Sequence, residues 1–320
     1  MNYLFKYKNK NNSKTKSLEF DINLDHSIKK INCEICVIDN NTVREIFKTT
    51  KYGKKYNIIK IIYEKLDKAT YIIKSNKTHS KYILKIRHNS YNNQFEHDIC
   101  LILKQNRHKN IIKYVDYQII GEYYFFVYEY FDGMHLHDYL RKNPILDEYD
   151  IRNICKQIAD GVAYLHSHNI IHCDLKLDNI IINDNNDIKI IDFDLSIICN
   201  KEDGYISDNI FGTMQYIAPE SYDLCIYSKK TDIWQFGIIL YILITNQFPY
   251  QNELTLINSY SNLCRQNLFK HIDFSIPKQI IFDKGYDILL YELLEKMLSF
   301  TDSNRYTVAE INNSCWMTMD

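Results

Sequence analysis

The sequence predicts an α+β chain of two lobes, a small β-rich one followed by a larger helical one. Three observations predict it. Between Tyr56 and Phe131, short runs of β-branched and aromatic residues recur: "NIIKIIYEKL", "TYIIKS", "KYILKI" and "YYFFVYEYF". After Gly133 the apolar residues fall at helical intervals instead, at Ile151, Ile154, Cys155, Ile158, Val162 and Leu165. A chain of 320 residues with 46% hydrophobic content can fill real cores in both.

Taken in order, residues 1–55 form an amino-terminal extension of unknown role, rich in Lys and Asn, with only β-like snatches such as "CEICVID". Its Lys6, Lys8, Lys10, Lys14 and Lys16 read as a solvated tail, or more sharply as a docking arm for an acidic partner. The main domain is expected over 56–317, with the small lobe at about 56–131 and the large lobe at about 132–317. Between the third and fourth strand-like runs, "FEHDICLILKQ" has helical spacing, so the small lobe reads as an antiparallel sheet with one helix. Asp147 is placed to cap the first long helix. "IIIND" and "DIKIID" read as a short hairpin, and "TDIWQFGIILYILITN" and "GYDILLYELLEKML" as further helices. The functional cleft is expected between the lobes.

Charge excludes some functions. Lys plus Arg number 39 and Asp plus Glu 40, so no global field draws nucleic acid or an acidic membrane. Nine scattered cysteines fit reduced thiols in the cytoplasm better than a disulfide framework. Cys33 and Cys36 lack the second pair that a zinc site needs, and read as packed thiols. No signal peptide is expected, because the amino terminus has no continuous apolar core, and "FGIILYILI" is too short to span a bilayer. A soluble cytoplasmic protein follows, with no nucleic-acid or membrane partner and an oligomeric state left open. The abundance of Ile, Asn, Lys and Tyr points to an AT-rich genome, as in a giant virus or a protist; for a virus the setting is the host cytoplasm.

The stretch "HCDLKLDN" (172–179) sets a carboxylate, a cation and a carboxamide at intervals of two and three. Transfer of a γ-phosphoryl group needs that set, because it asks for positioning and charge neutralisation more than covalent chemistry. Asp174 can orient an attacking hydroxyl and take its proton. Lys176 can neutralise charge growing on the phosphate. Asn179 and, after the hairpin, Asp192 offer oxygen ligands to magnesium, a hard cation. Each alone could be a turn cap; four in this order point to transfer.

These motifs resemble those of the eukaryotic-type protein kinases, on the serine/threonine branch. "HCDLKLDN" resembles the catalytic loop, "DFD" (192–194) the metal-binding triplet and "GTMQYIAPE" (212–220) the end of the activation segment. "DIWQFGIILY" resembles the buried central helix, and "EINNSCWM" the last one. The resemblance covers roughly residues 56–317. It implies a two-lobed kinase-like fold, ATP and Mg2+ as cofactors, and a protein Ser/Thr hydroxyl as acceptor. It implies that Asp174 and Lys176 are catalytic and that Asn179 and Asp192 hold metal. For ATP it implies Lys85, Leu66, Ala69, Glu129, Phe131 and Ile181, with Tyr128 as gatekeeper. Structural support falls to Glu96, His172, Phe193, Glu220, Asp232 and Arg305, Glu220 pairing with Arg305. Glu96 as helix partner of Lys85 has Asp98 as its alternative. "DLK" and Thr213, whose hydroxyl is expected on Asp174, point to the serine/threonine branch.

The sequence also departs from the family. Asp67 and Ala69 stand where two glycines bring backbone N–H groups to phosphate, and Ile83 stands where alanine leaves room for adenine. Both changes are expected to weaken ATP binding. Asp194 replaces the glycine of D-F-G; Asp tolerates a left-handed backbone better than most residues, so the triplet can still turn, though less freely. Cys173 replaces the arginine that would meet a phosphate on the activation segment, so Ser207 or Tyr205, beside Glu202, Asp203 and Asp208, is not expected to act as a switch. The alternative reading is a pseudokinase, a binding or scaffolding module with weak or no transfer.

Overall fold

The computed structural model describes residues 15–24, 27–36, 47–48, 50–65, 68–88, 94–201, 204–249 and 272–319, the first two of these stretches by their backbone alone. Leu66, Asp67, Glu202, Asp203 and the side chains of Cys33 and Cys36 lie outside the described residues. The chain divides into two compact units.

In the smaller unit β1 (Thr15–Leu24) and β2 (Ser27–Cys36) form an antiparallel hairpin. A short helix, α1 (Lys51–Lys55), is capped by Thr50, whose hydroxyl oxygen accepts from the backbone of Tyr52 and Gly53 at 3.1 and 3.3 Å. Then come β3 (Tyr56–Lys65), β4 (Lys68–Ser75), β5 (Lys81–His88), β6 (Tyr114–Ile120) and β7 (Tyr123–Glu129), an antiparallel sheet in the order β3-β4-β5-β7-β6. Strand period puts Ala69, Tyr71 and Ile73 of β4 into one core with Tyr56, Leu84, Phe125 and Val127. Phe47 and Tyr52, from before the first strand-like run, join that core. Strand β6 escaped the sequence reading, since its pairing with β7 slips between Tyr114 and Asp116 and spoils the alternation.

The larger unit begins with α2 (Gln94–Gln105), the helix that the sequence assigned to the sheet. Its Phe95 meets Tyr205 edge to face at 6.3 Å, and that packing groups it with the larger unit. Then follow β8 (Met134–His135), α3 (Leu136–Lys142) and α4 (Glu148–Ser167), the last capped by Asp147, which accepts from the Asp150 N–H at 2.7 Å. The short strands β9 (Ile170–Ile171), β10 (Ile180–Ile182), β11 (Ile188–Ile190) and β12 (Ile197–Ile198) pair as β8–β10–β11 and β9–β12. β13 (Tyr205–Ile206) pairs with β14 (Ile226–Tyr227), with α5 (Pro219–Leu224) between them. Helix α6 (Lys229–Thr245) is buried from Thr231 to Thr245, as expected of an almost wholly apolar run. α7 (Ser275–Lys284) and α8 (Ile288–Met297) follow. The last motif makes two short helices, α9 (Val308–Asn312) and α10 (Cys315–Thr318), because the Ser314 hydroxyl turns back to the Ile311 carbonyl at 2.7 Å. No helix among the described residues is long and apolar enough to cross a membrane.

Candidate active site

The site is built from beneath by α6. Asp232 is fully buried, and its carboxylate accepts from the backbone N–H of His172 and of Cys173, both at 2.9 Å, and from His166 Nε2 at 2.8 Å. One turn on, Gln235 accepts from the Leu175 N–H and donates to the Cys173 carbonyl, both at 2.8 Å. Buried polar groups must find partners, and here the two find the loop 172–175.

That loop then holds the segment after β11. His172 donates from Nε2 to the Ile191 carbonyl at 3.0 Å, which leaves Nδ1 to accept from the Asp174 N–H at 3.3 Å. Ile191 in turn donates its N–H to the Asn179 carbonyl at 2.9 Å. With both sides of Ile191 fixed, the chain turns at once, and Asp192 carries a positive φ of 69°. The left-handed residue of the triplet is therefore Asp192, and Asp194 is not among the residues with positive φ. Phe193 is fully buried against the His172 ring at 5.4 Å.

Asp174, 7% exposed, has both carboxylate oxygens engaged. Oδ1 accepts from the Thr213 N–H at 2.8 Å and from its hydroxyl at 2.7 Å. Oδ2 accepts from Lys176 Nζ at 2.7 Å and Asn179 Nδ2 at 3.1 Å. Lys176 also donates to the Thr213 hydroxyl oxygen at 2.6 Å, closing a ring of three side chains. Asn179 Nδ2 donates further to the Asp174 carbonyl at 2.8 Å. Both its amide hydrogens thus point at Asp174, and its side-chain oxygen stays uncommitted among the described residues.

Glu220 and Arg305 close a bidentate pair, and the guanidinium also donates to the carbonyls of Lys230 and Ser299 at 2.8 and 3.1 Å. Cys173 is fully buried in an apolar cluster with Ile171, Ile197, Cys199 and Tyr227, against which Tyr205 and Phe211 pack. Burial, reinforced by the Asp232 and Asp174 carboxylates, pushes its thiol pKa well above the usual value. Phe211 stacks on Tyr227 with ring centroids 3.8 Å apart, and the Tyr227 hydroxyl bonds both the N–H and the carbonyl of Phe211. Apolar packing thus occupies the ground that the family's arginine would use.

The profile of the protein kinase domain matches residues 56–317. The chain belongs to the protein kinase family. Among curated relatives it is 30% identical over 224 residues to a probable serine/threonine-protein kinase KIN1 homolog of Enterocytozoon bieneusi, covering 69% of this chain and 34% of that one. It is 32% identical over 213 residues to protein kinase kin1 of Schizosaccharomyces pombe, covering 66% and 22%. It is also 32% identical over 294 residues to calcium-dependent protein kinase 5 of Plasmodium berghei, covering 88% and 48%. The chain thus spans less than half the length of these relatives.

Kinases of this family use ATP and, generally, Mg2+. Among the described residues no group of three or more His, Cys, Asp and Glu side chains is placed to hold a metal. Magnesium asks for less, since it keeps waters and phosphate oxygens and takes one or two protein oxygens. The free oxygen of Asn179, one hydrogen bond from the residue before Asp192, fits that demand.

The residues expected around ATP divide between the units. In the smaller one the Lys85 ammonium lies 5.6 Å over the ring of Tyr128, which is 4% exposed and sits opposite Ile83. Ala69 is buried in the sheet core opposite Ile86, and Glu129 ends β7 half-buried. In the larger unit Phe131 and Ile181 are half-buried, Ile181 pairing with Lys189 and His135. Glu96 is buried on α2, whereas the Asp98 side chain is 41% exposed beside His97, so Glu96 is the inward carboxylate. Sequence reasoning missed Gln235 and His166. The signal for Gln235 was present as one amide inside the apolar run "IWQFGIILYILI". His166 gave none, because a histidine in the last turn of a helix reads as a dipole partner.

Proposed function

We propose that the chain is a serine/threonine protein kinase that transfers the γ-phosphate of ATP to a protein hydroxyl in the presence of magnesium. The observation that carries this reading is the ring of Asp174, Lys176 and Thr213 with Asn179. Asp174 would orient the acceptor hydroxyl and take its proton as the hydroxyl oxygen bonds to the γ-phosphorus. The bond from that phosphorus to the β–γ bridging oxygen breaks, and ADP leaves with the electron pair. Lys176, already oriented by Thr213 and Asp174, would neutralise charge on the moving phosphoryl group. Bound magnesium would supply charge neutralisation at the phosphates, held by the Asn179 oxygen and Asp192. Lys85 would hold the α- and β-phosphates, with Glu96 the helix carboxylate that the resemblance pairs with it, while Glu129 and Phe131 would offer backbone groups and Leu66 and Ile181 apolar surface to adenine.

The catalytic domain is proposed as 56–317, with residues 1–55 an extension, working in the cytoplasm on a protein substrate. The serine/threonine-protein kinase name of the Enterocytozoon bieneusi relative and the retained Lys176 and Thr213 support the hydroxyl class. The test is phosphoamino-acid analysis of casein and of the chain itself after incubation with γ-labelled ATP and magnesium. Phosphoserine and phosphothreonine are expected; phosphotyrosine alone would contradict the assignment.

A further inference from the structure

We propose that Gln235 is a positioning residue that fixes the catalytic loop in its working shape without any phosphate on the activation segment. The inference rests on the kinase reading above. Gln235 is a fully buried amide in a helix whose neighbours Ile233, Trp234, Phe236 and Ile238 are apolar. Such a group is costly unless both its ends are satisfied. Both are satisfied by backbone on the two sides of Asp174, the Cys173 carbonyl before it and the Leu175 N–H after it.

Cys173 needs that hold. Its φ of 65° is left-handed, a conformation that a β-carbon disfavours and that persists only where the surroundings over-determine it. Asp232 holds the Cys173 N–H and Gln235 holds its carbonyl, so both peptide groups of the strained residue are tied to α6. An arginine at 173 could couple loop shape to a phosphate; a buried thiol among Ile171, Ile197 and Tyr227 cannot. The shape is therefore set from beneath, and Gln235 is the contact that spans Asp174.

The test compares wild type, Gln235→Met and Gln235→Glu, with Ile238→Val as a control for loss of packing on the same helix. Two things are read: amide hydrogen exchange at residues 172–176, and steady-state transfer from MgATP to casein. Gln235→Met is expected to speed exchange at Leu175 at least tenfold beyond any change in the rest of α6. It is expected to lower kcat by 10- to 100-fold with KM for ATP within twofold, whereas Ile238→Val keeps kcat. Gln235→Glu, which retains an acceptor for Leu175 and the side-chain volume, is expected to recover part of the loss, and it is the variant read if Gln235→Met does not fold. Unchanged exchange at Leu175, or an unchanged kcat in a folded variant, overturns the proposal. If wild type transfers no phosphate, the kinase reading fails separately and the exchange rates alone decide the role of Gln235.

Discussion

Arg305 and Glu220 lie 85 positions apart and meet fork to fork, Nη1 to Oε1 at 2.7 Å and Nη2 to Oε2 at 3.0 Å. The guanidinium side chain is 0% exposed and the carboxylate 9%, so neither partner has water to fall back on. Removing one partner of such a pair costs roughly 3–5 kcal/mol, because the other charge is left buried alone. Arg305→Ala is expected to lower the calorimetric melting temperature by several degrees, and Arg305→Lys to recover only part of it, since an ammonium cannot close the fork. A melting temperature equal to wild type would show the pair to be energetically idle.

Thr213 touches Asp174 twice and Lys176 once. Thr213→Val keeps the shape and the backbone bond but deletes the hydroxyl. The hydroxyl's two charge-assisted hydrogen bonds, to Asp174 and from Lys176, are lost together, and a fall in kcat of roughly tenfold or more with little change in KM for ATP is expected. An unchanged kcat with a raised KM for ATP would place the hydroxyl in nucleotide binding instead.

The activation segment is held by packing. Tyr205 is part of that packing, so its hydroxyl is better removed by Tyr205→Phe than by truncation. The double variant Ser207→Ala with Tyr205→Phe is expected to keep kcat within about twofold. Cys173→Arg is expected to be destabilising rather than to install phosphate control, because it buries an unpaired charge. A large loss of turnover in the double variant would reveal a phosphate switch at this segment.

Much of the larger unit was legible because its motifs are dense: His172, Asp174, Lys176, Asn179 and Asp192 lie within 21 positions and Thr213 reaches the same carboxylate. The strands of the small sheet were legible where two-residue alternation is clean, as in β4 and β5. β6 was not, since a register slip hides its period. The φ of Asp192 could not be read from glycine replacement at 194, because it follows from how His172 and Asn179 grip Ile191 in space. Ala69 stands where the family has a glycine of the phosphate loop, yet its side chain fills the sheet core. Asp67→Gly alone is therefore the cleaner change, and a lower KM for ATP is its expected effect.

Alkaline pH should unfold the protein early. The Tyr227 and Tyr241 phenols are pushed up to about 12, each chiefly by burial, and burial also raises the Cys155 and Cys173 thiols. The unfolded chain ionises these groups from about pH 8.5 for Cys and 10 for Tyr. Their protonated burial thus contributes fully below pH 8.5 and is lost as pH rises towards 12. Melting temperature measured from pH 8 to 11.5 should fall steadily above pH 9; a flat profile to pH 11 would show that these groups titrate freely in the fold.

The most direct test of the account is transfer itself. Wild type and Asp174→Asn, an isosteric change that removes the base together with its ion pair to Lys176, are compared in a single-turnover assay with γ-labelled ATP, magnesium and casein. Labelled casein is expected with wild type, and a loss of about 10²- to 10⁴-fold in rate with Asp174→Asn, the range for a general base. Equal labelling by both proteins, or none by a folded wild type that binds MgATP, would contradict it.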